Sequence, residues 1–125
     1  MKKYYLILFI VIPFFFAACN RTPKIENFDS QKWKEDKNAC SSIRETMVSS
    51  LFENKKQLIG ISDKALFSLL GNPDFQNYYE RGKKSYCYYF QAGKQCDNNT
   101  QLKAQYIVFE VNSLGKVVIV NRQKI

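Results

Sequence analysis

No histidine occurs among the 125 residues of the chain. Histidine is the side chain best suited to proton transfer near neutral pH and a preferred zinc ligand, so its absence argues against both kinds of site. The four cysteines, at positions 19, 40, 87 and 96, show no CxxC spacing that would hold a metal. The one SxxK string, Ser113-Leu114-Gly115-Lys116, falls in the turn between the last two strand-like segments, and no GxSxG context is present to activate a serine. Glu80 and Glu110 fall in strand-like segments, where carboxylates are usually solvated, so the chain reads as a non-enzyme without cofactor or metal. No stretch repeats internally, and no apolar run reaches the roughly 20 residues that a membrane-spanning helix needs.

What the chain does have is a distinctive start. Met1-Lys2-Lys3 leads into YYLILFIVIPFFFAA, 15 uncharged and mostly apolar residues from Tyr4 to Ala18 with Pro13 inside. A cationic start, an apolar block and small residues at its end are the ordered parts of an export signal. Cys19 follows immediately. Phe16-Ala17-Ala18-Cys19 resembles the lipobox of bacterial lipoproteins, with Phe16 where leucine is commonest. That resemblance implies that the Cys19 sulfur receives a diacylglyceryl group, that the signal is removed, and that the new amine is acylated, as with palmitate. Two or more acyl chains make such an anchor effectively permanent. Residues 1–18 are therefore expected to be a cleaved signal peptide, 19–28 a lipidated tether, and 29–125 the folded domain.

Removal of Lys2 and Lys3 leaves 17 basic against 11 acidic side chains, a formal charge of +6. A surplus of that size often marks nucleic-acid binding. In an exported lipoprotein the accessible polyanions are instead lipid headgroups, glycans and acidic proteins. The lysines are scattered rather than aligned in a stripe, as a solvated positive surface would be, and no nucleic-acid partner is expected. No acidic cluster follows Cys19, which points to a lipid-anchored protein of the bacterial outer membrane facing the periplasm.

Asn20 to Phe28 is polar, holds Pro23 and lacks periodicity, as a tether would. From Ser30 to Lys55 there is neither glycine nor proline. Trp33, Cys40, Ile43, Met47 and Leu51 fall there at helical spacing, which predicts one amphipathic helix capped by Asp29 or Ser30. GISDKALFSLLGNPD, Gly60 to Asp74, predicts a second. Ser62 suits its N-cap, Leu66, Leu69 and Leu70 share a face, and Gly71 closes it before Pro73. Beyond it the period changes to two. Phe75–Glu80, Ser85–Phe90, Lys103–Val111 and Lys116–Asn121 read as strands, the last two joined through Ser113-Leu114-Gly115. The expected fold class is α+β, two N-terminal helices packed on an antiparallel three- to four-stranded β-meander in two layers.

Gly60-Ile61-Ser62, Leu66, Leu69-Leu70-Gly71-Asn72-Pro73-Asp74, Tyr86 to Phe90, and Phe109 to Lys116 together resemble the SmpA/OmlA (BamE-like) lipoproteins and the wider fold shared with beta-lactamase inhibitor protein. The resemblance implies a noncatalytic module that binds or scaffolds other proteins. A place in outer-membrane protein assembly is one expectation from it, and inhibition of an envelope or host enzyme is another. The cysteine-bearing first helix and the long loop Gln91 to Gln101 depart from the compact family pattern.

With Cys19 lipidated, Cys40, Cys87 and Cys96 are left, an odd number for an oxidising compartment. Joining Cys40 to Cys96 closes about 57 residues and stabilises by roughly 4 kcal/mol in the chain-entropy model, whereas Cys87 to Cys96 closes about 10 for roughly 2.7. Strand alternation also sets Cys87 opposite Tyr86, Tyr88 and Phe90, away from a helix-facing core. Cys40–Cys96 is the favoured pair and Cys87–Cys96 its alternative.

If Ile107, Phe109 and Val111 form the core row of their strand, Tyr106 and Val108 face outward beside Tyr89. Tyrosine combines broad apolar contact with a terminal hydroxyl, which suits a binding face. Tyr89, Tyr106 and Val108 are thus the candidate contact residues, for an envelope protein or a glycan.

Overall fold

The computed structural model describes residues 21–125. The signal segment and Cys19 lie outside the described residues. Four α-helices, α1 (Ser30–Glu35), α2 (Ile43–Glu53), α3 (Lys55–Leu58) and α4 (Asp63–Leu70), accompany four strands, β1 (Phe75–Tyr78), β2 (Lys84–Tyr89), β3 (Gln105–Val111) and β4 (Val117–Lys124). The strands form one antiparallel sheet in the order β1-β2-β3-β4. The chain is α+β.

The expected long helix from Ser30 to Lys55 is broken, so four helices stand where two were expected. Asp36 explains the break. Its carboxylate accepts the backbone N–H groups of Ser41 at 2.8 Å and Arg44 at 2.9 Å, offering the chain a local alternative to continued helix. Between α1 and α2 the chain makes a 3-10 turn, Lys37–Ala39, and Asn38, Ala39 and Ser42 take positive φ near 60°. Within α2, Met47 and Leu51 are buried as expected, but the place of Ile43 is taken by its neighbour. Arg44, 1% exposed, faces inward, and the expected Ile43 is 36% exposed.

α4 forms as its local signals require. The Ser62 side chain accepts from the Ala65 N–H at 3.1 Å, and Gly71, at φ 78°, closes the helix. Trp33, Met47, Leu51, Leu58, Leu66 and Leu70 from the helices meet Tyr86, Tyr88, Ile107, Phe109, Val111 and Val120 from one sheet face in a single core. Burial of this apolar area is the main force holding the two together, at roughly 25 cal/mol per Å².

Part of the segment 19–28, expected to be a tether, packs against the helices. Ile25 is 5% exposed within the same core, Phe28 packs beside Trp33 with ring centroids 5.5 Å apart, and Ser50 donates to the Asn27 carbonyl. An isoleucine flanked by polar residues carries too little periodicity to mark this docking in advance. The packed domain thus includes residues assigned above to the tether.

Candidate binding surface

The sheet face away from the helices is built by alternation. Antiparallel register places Phe75, Cys87 and Val108 in one cross-strand row and Tyr89, Tyr106 and Gln123 in the next. Phe75 lies with its ring centroid 5.3 Å from Tyr89 and 5.1 Å from Tyr106, and the two tyrosines are 5.9 Å apart. Tilted and edge-on ring contacts at these distances add to the apolar contribution of the cluster. The Tyr106 hydroxyl donates to Gln123 Oε1 at 2.9 Å, which leaves the ring half-buried and the polar tip at the surface.

Of the three candidate contact residues, Tyr89 and Tyr106 are directly paired and half-buried. Val108 lies on the same face but is only 5% exposed. Its expected role as a contact residue is corrected. To meet Tyr106 from two strands away, the Phe75 ring reaches diagonally across β2 into the next row, a contact that alternation alone could not reveal. Phe75 takes the place of Val108 in the accessible cluster. Tyr79, exposed and with its hydroxyl 3.4 Å from that of Ser85, extends the aromatic surface, whereas exposed Tyr78 falls in the row of Lys84 and Val111 on the helix-facing side.

On the same sheet face Cys87 is a free thiol, 1% exposed. Burial pushes it up from 9.0 to about 11, against a smaller opposing effect of the Ser85 hydroxyl. Tyr89 is also raised, by burial first and then by the Asp74 carboxylate, and Tyr106 is raised chiefly by burial.

Cys40 and Cys96 form a disulfide with their Cα atoms 5.6 Å apart. It joins the break between α1 and α2 to the loop after β2. Gln95 reinforces the join, its Nε2 donating to the Asn38 carbonyl at 3.0 Å and to the Gln91 carbonyl at 2.9 Å.

Residue reasoning missed the polar junction that fixes the helices against the sheet. Arg44 Nε donates to the Trp33 carbonyl at 2.9 Å, and its Nη1 donates to Asp74 at 2.6 Å and to the Tyr89 carbonyl at 3.0 Å. Asp74 also accepts the Asn38 N–H at 3.1 Å and the Tyr89 N–H at 2.8 Å. The guanidinium lies 4.9 Å from the Trp33 ring centroid. One signal could have found it: Arg44 sits four residues after Cys40, three before Met47 and seven before Leu51, in phase with the apolar stripe.

Among the described residues there is no group of three or more histidine, cysteine, aspartate or glutamate side chains placed to hold a metal. No helix among them is long and apolar enough to cross a membrane. No protein-family model matches the chain, and neither a curated protein nor a solved structure matches it.

Proposed function

We propose that the chain is a noncatalytic binding or scaffolding module of the bacterial cell envelope, anchored to the outer membrane by lipid on Cys19 and facing the periplasm. It engages an envelope protein or a glycan through the outer sheet face. The observation that carries this reading is the half-buried Phe75, Tyr89 and Tyr106 cluster on the face that the helices leave uncovered. Rigid aromatics with few rotatable bonds make large contacts at low entropic cost. The finer architecture in this reading is a helical layer on a β-meander, resembling the SmpA/OmlA lipoproteins. The consecutive strand order and the capped helix Asp63–Leu70 ahead of it support that likeness.

The test has two parts. The intact mass of membrane-extracted protein should correspond to a chain beginning at an acylated Cys19, and a mass beginning at Met1 without lipid would overturn the anchor. Partners captured in mild detergent should be lost with the Tyr89→Ser/Tyr106→Ser double variant. Capture that survives the double substitution removes the outer face from the reading.

A further inference from the structure

We propose that the cleft beneath the disulfide-clipped loop is a binding site for a small organic carboxylate with an apolar body. The cleft encloses about 220 Å³, with Tyr89, Leu102, Ala104 and Ile125 supplying apolar lining and Lys94 and Lys103 supplying charge. A dry cavity of about 150 Å³ already accommodates benzene. One aromatic ring or a short acyl chain therefore fits, with its charged end towards the lysines.

The cleft is held open by its surroundings. Gly93 packs so closely on the other limb of the loop that a Cβ there would lie 2.6 Å from the Ala104 nitrogen. The Ile125 N–H donates to the Ala104 carbonyl at 3.0 Å, closing one side. The Cys40–Cys96 bond and the two bonds from Gln95 fix the opposite limb. A site that need not be ordered on binding loses less entropy when it is filled.

Chemistry selects the ligand. Leu102 and Ile125 remain 64% and 60% exposed, so apolar surface is left for a ligand to cover. No aspartate or glutamate side chain lines the cleft, and neither lysine forms a salt bridge among the described residues. Two lysines against the single α-carboxylate of Ile125 leave the rim net positive, which favours an anion over its neutral isostere. The site is independent of the lipid anchor and separate from the Phe75 and Tyr106 rings, although Tyr89 borders both.

The experiment is an amide-shift titration of the full-length chain in detergent micelles with 3-phenylpropionate and, separately, 3-phenylpropionamide. The acid should bind about fivefold more tightly, as expected for a partly exposed ion pair. Shifts should centre on Gln95, Leu102 and Ala104. The Lys94→Gln/Lys103→Gln double variant should bind acid and amide equally, with amide affinity unchanged. Because it leaves the aromatic face intact, its result separates this site from the proposed partner surface. Equal binding of the two probes by the unsubstituted chain, shifts centred on Phe75 and Tyr106, or no saturation below about 10 mM would each overturn the proposal.

Discussion

Arg44 Nη1 lies 2.6 Å from Asp74 Oδ2, and both side chains are buried. The pair ties the start of α2 to the entry of β1, and each partner has further hydrogen bonds to the backbone. Removing one partner leaves the other as an uncompensated buried charge, which typically costs 3–5 kcal/mol. Asp74→Asn and Arg44→Met should each lower stability by about that amount. The double variant should be less destabilised than the two single losses combined, because no orphan charge is left. Urea denaturation of the four proteins as a double-mutant cycle measures this coupling.

The disulfide predicts a different signature. Cys40 and Cys96 are 56 positions apart, and a closed loop of that size stabilises by about 4 kcal/mol in the chain-entropy model. The Cys40→Ser/Cys96→Ser variant should lose stability of that order. Mass spectrometry should show the unsubstituted chain gaining two hydrogens on reduction. A Cys87→Ser variant should retain that gain, and its absence would remove Cys40–Cys96 as the bond.

How far these features were legible in advance depends on how local their causes are. Ser62, Leu66, Leu70 and Gly71 specify α4 within one short stretch, and the period-two segments specify the strands. The Cys40–Cys96 pair was reachable too, because alternation turns Cys87 away from the helices. Asp36 acts differently: whether its carboxylate accepts N–H groups ahead or leaves the helix to continue depends on tertiary packing. Once the helix breaks, Met47 and Leu51 keep their places in the buried stripe while Arg44 replaces Ile43. A long cationic side chain in an apolar stripe is indistinguishable from a surface residue until Asp74 is brought to it from 30 positions away. The contact of Phe75 with Tyr106 likewise joins rings two strands apart.

Gly93 should not tolerate even alanine. The added Cβ would meet the Ala104 nitrogen at 2.6 Å and its Cα at 2.9 Å, backbone atoms that cannot rotate away. Overpacking of this kind costs about 1–3 kcal/mol. Gly93→Ala should therefore lower the denaturation midpoint and loosen the loop, read as faster amide exchange from Gly93 to Ala104. An unchanged midpoint would show that the two limbs separate easily.

Alkaline pH should unfold the protein partly through Cys87. Burial raises this thiol from 9.0 to about 11, so between those values the unfolded chain ionises while the folded one keeps its proton. The stabilisation is fully present below about 9 and is lost as pH rises towards about 11, since the unfolded state is then the one binding fewer protons. Tyr89 and Tyr106 are raised as well and act in the same direction. The contribution of Cys87 is isolated by comparison with Cys87→Ala, whose stability should fall less steeply over this range. Parallel slopes for the two proteins would show that the thiol is not protected from ionisation by the fold.

The same thiol reports on the aromatic cover. Phe75 pairs with Cys87 in register, and its ring reaches across β2 to Tyr106 at a centroid distance of 5.1 Å. In the folded chain a thiol reagent should therefore react with Cys87 only through opening of the structure, at a rate that follows stability. Phe75→Ala removes that ring and should cost less than the about 3–5 kcal/mol typical of a buried core phenylalanine, because it is half-exposed. The diagnostic quantity is the reaction rate at a pH near 8, measured together with the unfolding free energy. A loss of cover raises the rate by more than the stability change alone can supply, whereas Tyr78→Ala, at a fully exposed ring on the same strand, should leave it unchanged. If Phe75→Ala accelerates the reaction only in proportion to its lost stability, the ring does not shield the thiol. The outer face would then be a set of separate aromatics rather than one packed cluster.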